Sequence, residues 1–312
     1  MKLNLLFVLS ALLLAVACER PFDYELSDVP DDFPELPAPP EGQGYQIHLP
    51  PFPIPNNYER ELFVRMPIGN TEAIYVNRFH AHARSNTHHI IAYGFYDENA
   101  ADNPPIGVMR DQNLADGRGN LNLTMGSGSF LYGAQEPENI LQYPPGTAVL
   151  IRPNSTIDLN AHYFNYSGEQ QFGEVYLNMY TVPQDEVTEL LIVDDINNED
   201  ELYLPAKQTT TIRYEEYFGR TTKIRMMFSH MHKRGKQFKV YRTGGPNDGE
   251  LVYETRSYQH PPNKFFEPAL SFNPGEGLRT EVTYENETNR NIEFGVTSED
   301  EMGILFYSKI RQ

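Results

Sequence analysis

From about residue 58 onward, the chain consists of short runs of alternating apolar and polar residues, interrupted by glycine, proline or asparagine. A period of two predicts half-buried strands, because successive side chains of a strand point to opposite faces. No long stretch has the helical period; residues 185–191 form at most a short helix or another strand. The chain is therefore predicted to be all-β. Typical runs lie at residues 148–151, 157–164, 223–228, 238–241 and 251–253.

The length of 312 residues fits two domains of ordinary size. The acidic stretch 194–201 has the composition of a surface connection, which places a domain boundary between about residues 183 and 200. Each half is then long enough for one β-sandwich. We predict two tandem antiparallel, jelly-roll-like β-sandwich domains, at residues 56–188 and 189–312.

Residues 1–17 have the features of a secretory signal peptide: a positive start at Lys2, an apolar stretch and a small-residue cleavage site. Cys18 follows at once, at a position that resembles the lipidated cysteine of bacterial lipoproteins. Residues 18–55 are acidic and proline-rich, which predicts an extended tether. We therefore expect an extracytoplasmic protein whose lipid on Cys18 anchors it to a bacterial membrane, in the periplasm or at the outer membrane. The alternative is an ordinary signal peptide cleaved nearby, with an incidental cysteine.

The overall charge narrows the range of partners. A formal net charge of −18 argues against nucleic acid or an anionic membrane surface as a partner. Cys18 is the only cysteine, so no disulfide can form within the chain. No later segment approaches the length of a membrane span, so contact with a membrane is expected only through the N-terminal anchor.

Five of the nine histidines lie in three separated segments: His88 and His89, then His162, then His230 and His232. In a strand, residues i and i+2 share a face, so His230 and His232 would form a two-ligand platform. Taken alone, such a pair is more often an ordinary pair of sheet histidines. The adjacent His88 and His89 can bind one metal only at a bend or in a loop.

Other residues extend this pattern. Met302 follows three acidic residues and precedes an apolar strand, whereas most methionines simply fill gaps in a core. His162 lies in the polar phase of its strand, where a lone histidine is usually an exposed one. His80 and His82 form a rival pair for the first site, and we rank them second. Imidazole nitrogens with one soft thioether suit copper that cycles between two oxidation states.

Together these segments resemble the copper type II, ascorbate-dependent monooxygenases, the family of peptidylglycine α-hydroxylating and dopamine β-monooxygenases. The resemblance runs from about residue 60 to 310, and all six expected ligands are present in order. The segments that carry it are residues 87–94, similar to the family's His-His-Met segment; 142–146 with 159–163; 229–236 with Tyr241 and Arg242, similar to its His-x-His segment; and 297–302, the closest match.

The resemblance implies two β-sandwich domains with a solvent-filled cleft between them and two copper ions per chain. One copper, which supplies electrons, would be bound by His88, His89 and His162. The other copper, where dioxygen binds and a C–H bond is hydroxylated, would be bound by the predicted catalytic residues His230, His232 and Met302. Ascorbate or another one-electron donor would reduce both ions, and the remaining partner would be a small organic substrate.

Several positions depart from the family pattern. Phe228 stands where peptide-amidating members carry an arginine that anchors the peptide carboxylate, and Ile304 and Phe306 replace an asparagine and a tyrosine. Asn160 stands where the family has glutamine, and the family's disulfides are absent. A peptide C-terminus therefore has no anchor, and the apolar lining hints at an apolar or aromatic substrate. The alternatives are a copper-binding or electron-transfer protein without hydroxylase activity, or a β-sandwich adhesion or carbohydrate-binding lipoprotein.

Overall fold

The computed structural model of the protein describes residues 28–111, 128–295 and 297–311. In these ranges the regular structure is strand, apart from short 3-10 turns such as Gln184–Glu186. The predicted signal peptide and Cys18 lie outside the described residues. No helix in the described ranges is long and apolar enough to cross a membrane.

The described residues contain twenty strands. In chain order they are β1 (Gly44–Ile54), β2 (Tyr58–Pro67), β3 (Ile74–Ala83), β4 (Thr87–Phe95), β5 (Met109–Asp111), β6 (Gly128–Ala134), β7 (Glu138–Gln142), β8 (Thr147–Ile151), β9 (Thr156–Asn165), β10 (Gln171–Thr181), β11 (Glu189–Asn197), β12 (Tyr203–Leu204), β13 (Gln208–Tyr217), β14 (Thr222–Met231), β15 (Gly235–Thr243), β16 (Leu251–Thr255), β17 (Lys264–Phe272), β18 (Gly277–Asn286), β19 (Ile292–Glu293) and β20 (Gly303–Ile310).

Three large sheets form the body of the molecule. A nine-stranded sheet has the order β1-β10-β3-β8-β11-β20-β14-β17, with β7 also paired to β3. A five-stranded sheet has the order β5-β2-β9-β4-β6, and a four-stranded sheet has the order β13-β18-β15-β16. Strand pairs are antiparallel except β8 and β11, which run parallel and join the two halves of the nine-stranded sheet.

Each half of the nine-stranded sheet packs against one of the smaller sheets, so the molecule is two antiparallel β-sandwiches. The first core lies under the five-stranded sheet and contains Phe79 and Leu177 opposite Ile90 and Leu159. The second core lies under the four-stranded sheet and contains Leu305 opposite Phe238 and Val282, among others. The predicted all-β fold class is therefore confirmed. Alternation along the strands produces it, because one face of each strand is apolar.

The chain passes from one core to the other along β11. Leu191 packs in the first core and Ile196 in the second, within the region where the sequence places a boundary. On β14, a register shift between Ile224 and Met226 moves these two residues to different cores. Ile224 therefore does not share a face with Met226, although strict alternation predicts that it should.

The predicted tether is wrong at its C-terminal end. Gly44–Ile54 form β1, which pairs with β10, and Ile47, Leu49 and Phe52 are buried in the first core. The prolines of this segment suggest an extended tether, but β1 is an edge strand, where prolines are tolerated. A register shift between Leu49 and Phe52 accommodates two of them. Residues ahead of β1 also contact the sheet: the Phe33 ring stacks on His82 at 4.5 Å.

An ion pair between Glu189 and Arg225 links β11 to β14 by bonds of 2.7 and 2.8 Å. The hydrogen bond from Arg225 lowers the pKa of Glu189 below its usual 4.5. A lowered carboxyl pKa stabilises the fold above the ordinary pKa and loses that effect as pH falls through the folded value. We expect Glu189→Gln to cost about 0.5–1 kcal/mol at pH 7 and less as pH falls below 4.5. Urea denaturation from pH 7 to pH 3 tests this, with exposed Glu72→Gln as control.

Candidate metal centre

The first group of histidines lies on two neighbouring strands of the five-stranded sheet. His88 and His89 are in β4 and His162 is in β9, where His89 and His162 are direct partners. The pairing shifts register between Thr87 and His89. Such a bulge is the local bend that two adjacent histidines require in order to face one metal.

The ring nitrogens of His88, His89 and His162 converge. One ligand atom from each lies within 4.8 Å of the others, and the Nδ1 atoms of His88 and His162 are 3.3 Å apart. Two nitrogens each about 2.0–2.1 Å from a tetrahedral metal would lie about 3.3–3.4 Å apart. The spacing therefore fits a shared metal ion.

The opposite ring nitrogens of two of these histidines contact acidic and amide groups. His162 Nε2 lies 2.8 Å from Glu59 Oε1. His89 Nε2 lies 2.8 Å from Asn160 Oδ1 and 3.7 Å from Glu61 Oε1. His89 Nδ1 is buried and finds no hydrogen-bond partner among the described residues. Metal-binding histidines commonly donate their outward nitrogen to a carboxylate or carbonyl and keep the other for the metal, and this arrangement fits that pattern.

The second group comes from the other half of the molecule. His230 lies near the end of β14, His232 immediately follows the strand, and Met302 precedes β20. The two imidazole rings are 5.1 Å apart, and Met302 is only 6% exposed. All three residues line one cavity of about 310 Å³.

The backbone around the second group fixes the orientation of His232. Its Nδ1 lies 3.2 Å from the carbonyl oxygen of Asp300, which can only accept, so Nδ1 carries the proton of the neutral ring. Nε2 is then the nitrogen with a lone pair for a metal. The buried carboxylate of Glu301 accepts the backbone N–H groups of His232 and Arg234 at 3.0 and 2.7 Å. Burial raises the pKa of Glu301 to about 7.

His88, His230 and His232 are held in the neutral form. Burial, with the nearby imidazoles, lowers the pKa of His88 to about 2 and places that of His230 well below its usual value. Burial also lowers the pKa of His232 to about 4, although its bond to Asp300 opposes the shift. Neutral imidazole is the form that binds metal, so no proton has to be displaced from these rings at neutral pH.

The two groups lie close to each other across the boundary between the sandwiches. The rings of His89 and His230 are 6.3 Å apart. The cavity lies between the two halves of the molecule, with β2, β4 and β6 on one side and β14 and β20 on the other. The histidines of both groups therefore form one continuous cluster.

His80 and His82, the rival pair for the first site, do not join it. Both lie on β3 of the nine-stranded sheet, where they alternate with Phe79 and Ala81 of the first core. Their side chains point away from that core, and both contact the carboxylate of Glu138 on β7. The thickness of the first sandwich separates them from the five-stranded sheet.

Glu59 and Glu61 are site residues that no motif in the sequence marks. They occupy positions i and i+2 of β2, and Glu61 is the direct cross-strand partner of His162. Glu59 also accepts hydrogen bonds from the backbone N–H and the hydroxyl of Ser298, at 3.3 and 3.1 Å. It therefore joins the first histidine group to the segment that carries Met302. The spacing of Glu59 and Glu61 in the sequence indicates that they share one face of a strand. The local sequence does not indicate, however, which strand pairs with β2.

Comparison with known proteins adds no family assignment. No protein-family model matches the chain, and no curated protein matches it. Two solved structures have a distant similarity. The crystal structure of the STIV MCP has a TM-score of 0.32 and 10% identity, and the match covers 86% of this chain and 94% of that one. PBCV-1 VP54, fitted into a cryo-EM reconstruction of the virophage Sputnik, has a TM-score of 0.25 and 7% identity, with 89% and 97% covered.

Proposed function

We propose that this protein is a copper-dependent monooxygenase that hydroxylates a C–H bond of a small organic molecule, using dioxygen and a one-electron donor such as ascorbate. The observation that carries the proposal is the placement of the two ligand groups. His89 of the first sandwich lines one cavity together with His230, His232 and Met302 of the second, and the ligand atoms of His88 and His162 converge with that of His89. Their order along the chain is the order in the monooxygenase family that the sequence resembles.

The residues present fit copper in both groups. His88, His89 and His162 would hold one ion, and His89 Nδ1, which has no hydrogen-bond partner in the described part of the chain, supports this assignment. His230, His232 and Met302 would hold the other, because a thioether is a soft ligand that favours Cu(I) over hard cations. When bound, copper would supply the one-electron chemistry by which dioxygen is reduced and one of its atoms is inserted into the substrate. The reaction consumes two electrons and two protons and releases one water.

The surrounding residues have three tasks in this proposal. Burial keeps the imidazoles of His88 and His232 neutral and able to bind the metal. The imidazole rings of the first group are oriented through their outward nitrogens, which contact Glu59, Glu61 and Asn160. The apolar walls of the cavity hold the substrate and exclude water from it. Together with the N-terminal features, the proposal describes a lipid-anchored extracytoplasmic enzyme.

The first experiment is anaerobic copper loading of the purified protein, followed by measurement of oxygen uptake with ascorbate and a panel of small organic substrates. We expect two copper ions per chain and uptake that a substrate stimulates. His162→Ala and His230→Ala should each remove one ion. Two bound ions without stimulated uptake would indicate a copper-binding or electron-transfer protein. Less than stoichiometric copper in the wild type, unchanged in both variants, would rule out the metal site.

A further inference from the structure

The cavity beside His230, His232 and Met302 has an aromatic wall built from both sandwiches. Phe130 comes from β6, Phe228 from β14 and Phe306 from β20. The ring of Phe306 lies 4.4 Å from that of Phe130 and 4.9 Å from that of Phe228, with the latter pair stacked within 14°. Flat rings bind other flat rings by offset stacking or edge-to-face contact. The wall is therefore suited to a planar aromatic molecule.

This wall leads directly to the second ligand group. Phe228 and Phe306 are direct partners across β14 and β20, and the next pair on the same face is His230 with Ile304. Two residues along a strand span about 7 Å. A molecule one or two rings long that rests on Phe228 and Phe306 would therefore reach His230 with its edge.

The charges around the cavity exclude a charged molecule. No lysine or arginine lines it among the described residues, so an anion would find no side-chain counter-charge in the metal-free protein. Its two carboxylates already face histidines: Glu61 lies beside His89, and Glu136 Oε1 lies 2.9 Å from His260 Nδ1. A cation would have to displace one of these partners. Burying an unpaired charge is costly, so the cavity favours a neutral molecule.

The cavity volume sets the size of the molecule. About 310 Å³ is at the lower end of the range for small-molecule sites. Polar amides at Gln135, Asn139, Gln259 and Asn263 also line it, and they can bind a hydroxyl or carbonyl group. The available space fits one or two rings with a small polar substituent.

We propose that the substrate is a neutral, planar aromatic molecule of one or two rings, stacked on Phe228 and Phe306 with one edge toward His230, His232 and Met302. This inference rests on the proposed monooxygenase function and specifies its substrate class. Phe130, Phe228 and Phe306 are then specificity-determining residues, and Phe130 comes from the opposite sandwich. Binding should therefore require both halves of the molecule.

The test is calorimetric binding of three probes that share one ring system and differ in charge. The neutral 2-naphthol is compared with the anion 2-naphthoate and the cation 2-naphthylmethylammonium, at pH 7, on the metal-free protein, where no copper ion can act as a counter-charge. We expect 2-naphthol to bind at least about tenfold more tightly than either ion, because each ion would be buried in the cavity without an opposite charge as its partner. A charged probe that binds the wild-type protein as tightly as 2-naphthol would overturn the inference.

Variants locate the binding site. Phe306→Ala should weaken 2-naphthol binding at least about tenfold, because it removes the ring that contacts both Phe130 and Phe228. Phe265→Ala is the matched control, since Phe265 is 38% exposed on β17 and lies outside the cavity lining. Unchanged binding in Phe306→Ala would overturn the inference, and the charge comparison on the wild type stands even if that variant misfolds.

The two proposals can fail separately. Selective 2-naphthol binding, with no oxygen uptake from any substrate, would support the binding-site assignment and contradict the monooxygenase proposal. Substrate-stimulated oxygen uptake by a protein that does not bind 2-naphthol would contradict the substrate class and leave the monooxygenase proposal standing.

Discussion

Met302→Ala is expected to lower substrate-stimulated oxygen uptake by more than about 100-fold while copper remains at His88, His89 and His162. Loss of residues that merely orient a ligand typically costs 10- to 100-fold, so loss of a ligand should cost at least as much. The Met302 side chain is 6% exposed and lines the same cavity as His230 and His232. The first group lies on other strands and should keep its metal.

X-ray absorption at the copper edge, on the reduced protein, measures the chemical basis of this effect. The wild type should show a sulfur scatterer that Met302→Ala lacks. Met109→Ala provides the control, because Met109 is 37% exposed and lies outside the cavity lining. A sulfur signal that survives in Met302→Ala, or oxygen uptake that stays within a few-fold of wild type, would exclude Met302 as a ligand.

The fold class could be predicted from sequence because its cause is local. One face of each strand is apolar, and the period of two is visible in runs such as β9 and β15. The proline-rich acidic composition of the segment that contains β1 predicts a tether, because it resembles the composition of a disordered segment. Its burial depends on pairing with β10, whose residues lie more than a hundred positions away in the chain. Composition carries no information about such a partner.

For the candidate site, too, local features could be predicted from the sequence and long-range packing could not. The types and order of the six predicted ligands are properties of the sequence, and the structure brings the three of each group together. The 6.3 Å approach of His89 to His230 could not be predicted, because it depends on how two sandwiches pack. His80 and His82 lie outside the first histidine group because β3 and β4 belong to different sheets, which the sequence does not indicate. The adjacent His88 and His89 can face one point only because of the bulge between Thr87 and His89. No turn residue in the sequence indicates that bulge.

Glu61→Gln is expected to weaken metal binding by the first histidine group about 10- to 100-fold, the usual effect of removing a group that orients a ligand. Glu61 is 6% exposed and lies on β2 beside His89. Its carboxylate offsets the positive charge that a bound metal brings into a buried site, and glutamine keeps the shape without the charge. Glu59→Gln should act similarly through His162, with a smaller effect because Glu59 is more exposed.

Competition with a chromophoric Cu(I) chelator measures the affinity of each group, with His230→Ala used to isolate the first. Glu98→Gln is the matched control, since Glu98 pairs with Arg65 in the same sandwich and contacts no predicted ligand. Wild-type affinity in both Glu61→Gln and Glu59→Gln would show that these carboxylates do not support the metal. Equal weakening in Glu98→Gln would point to general loss of stability in the sandwich. Loss confined to the β2 carboxylates would assign them the role of fixing the imidazoles, because they contact the outward nitrogens of His89 and His162, and without them Asn160 would hold that of His89 alone.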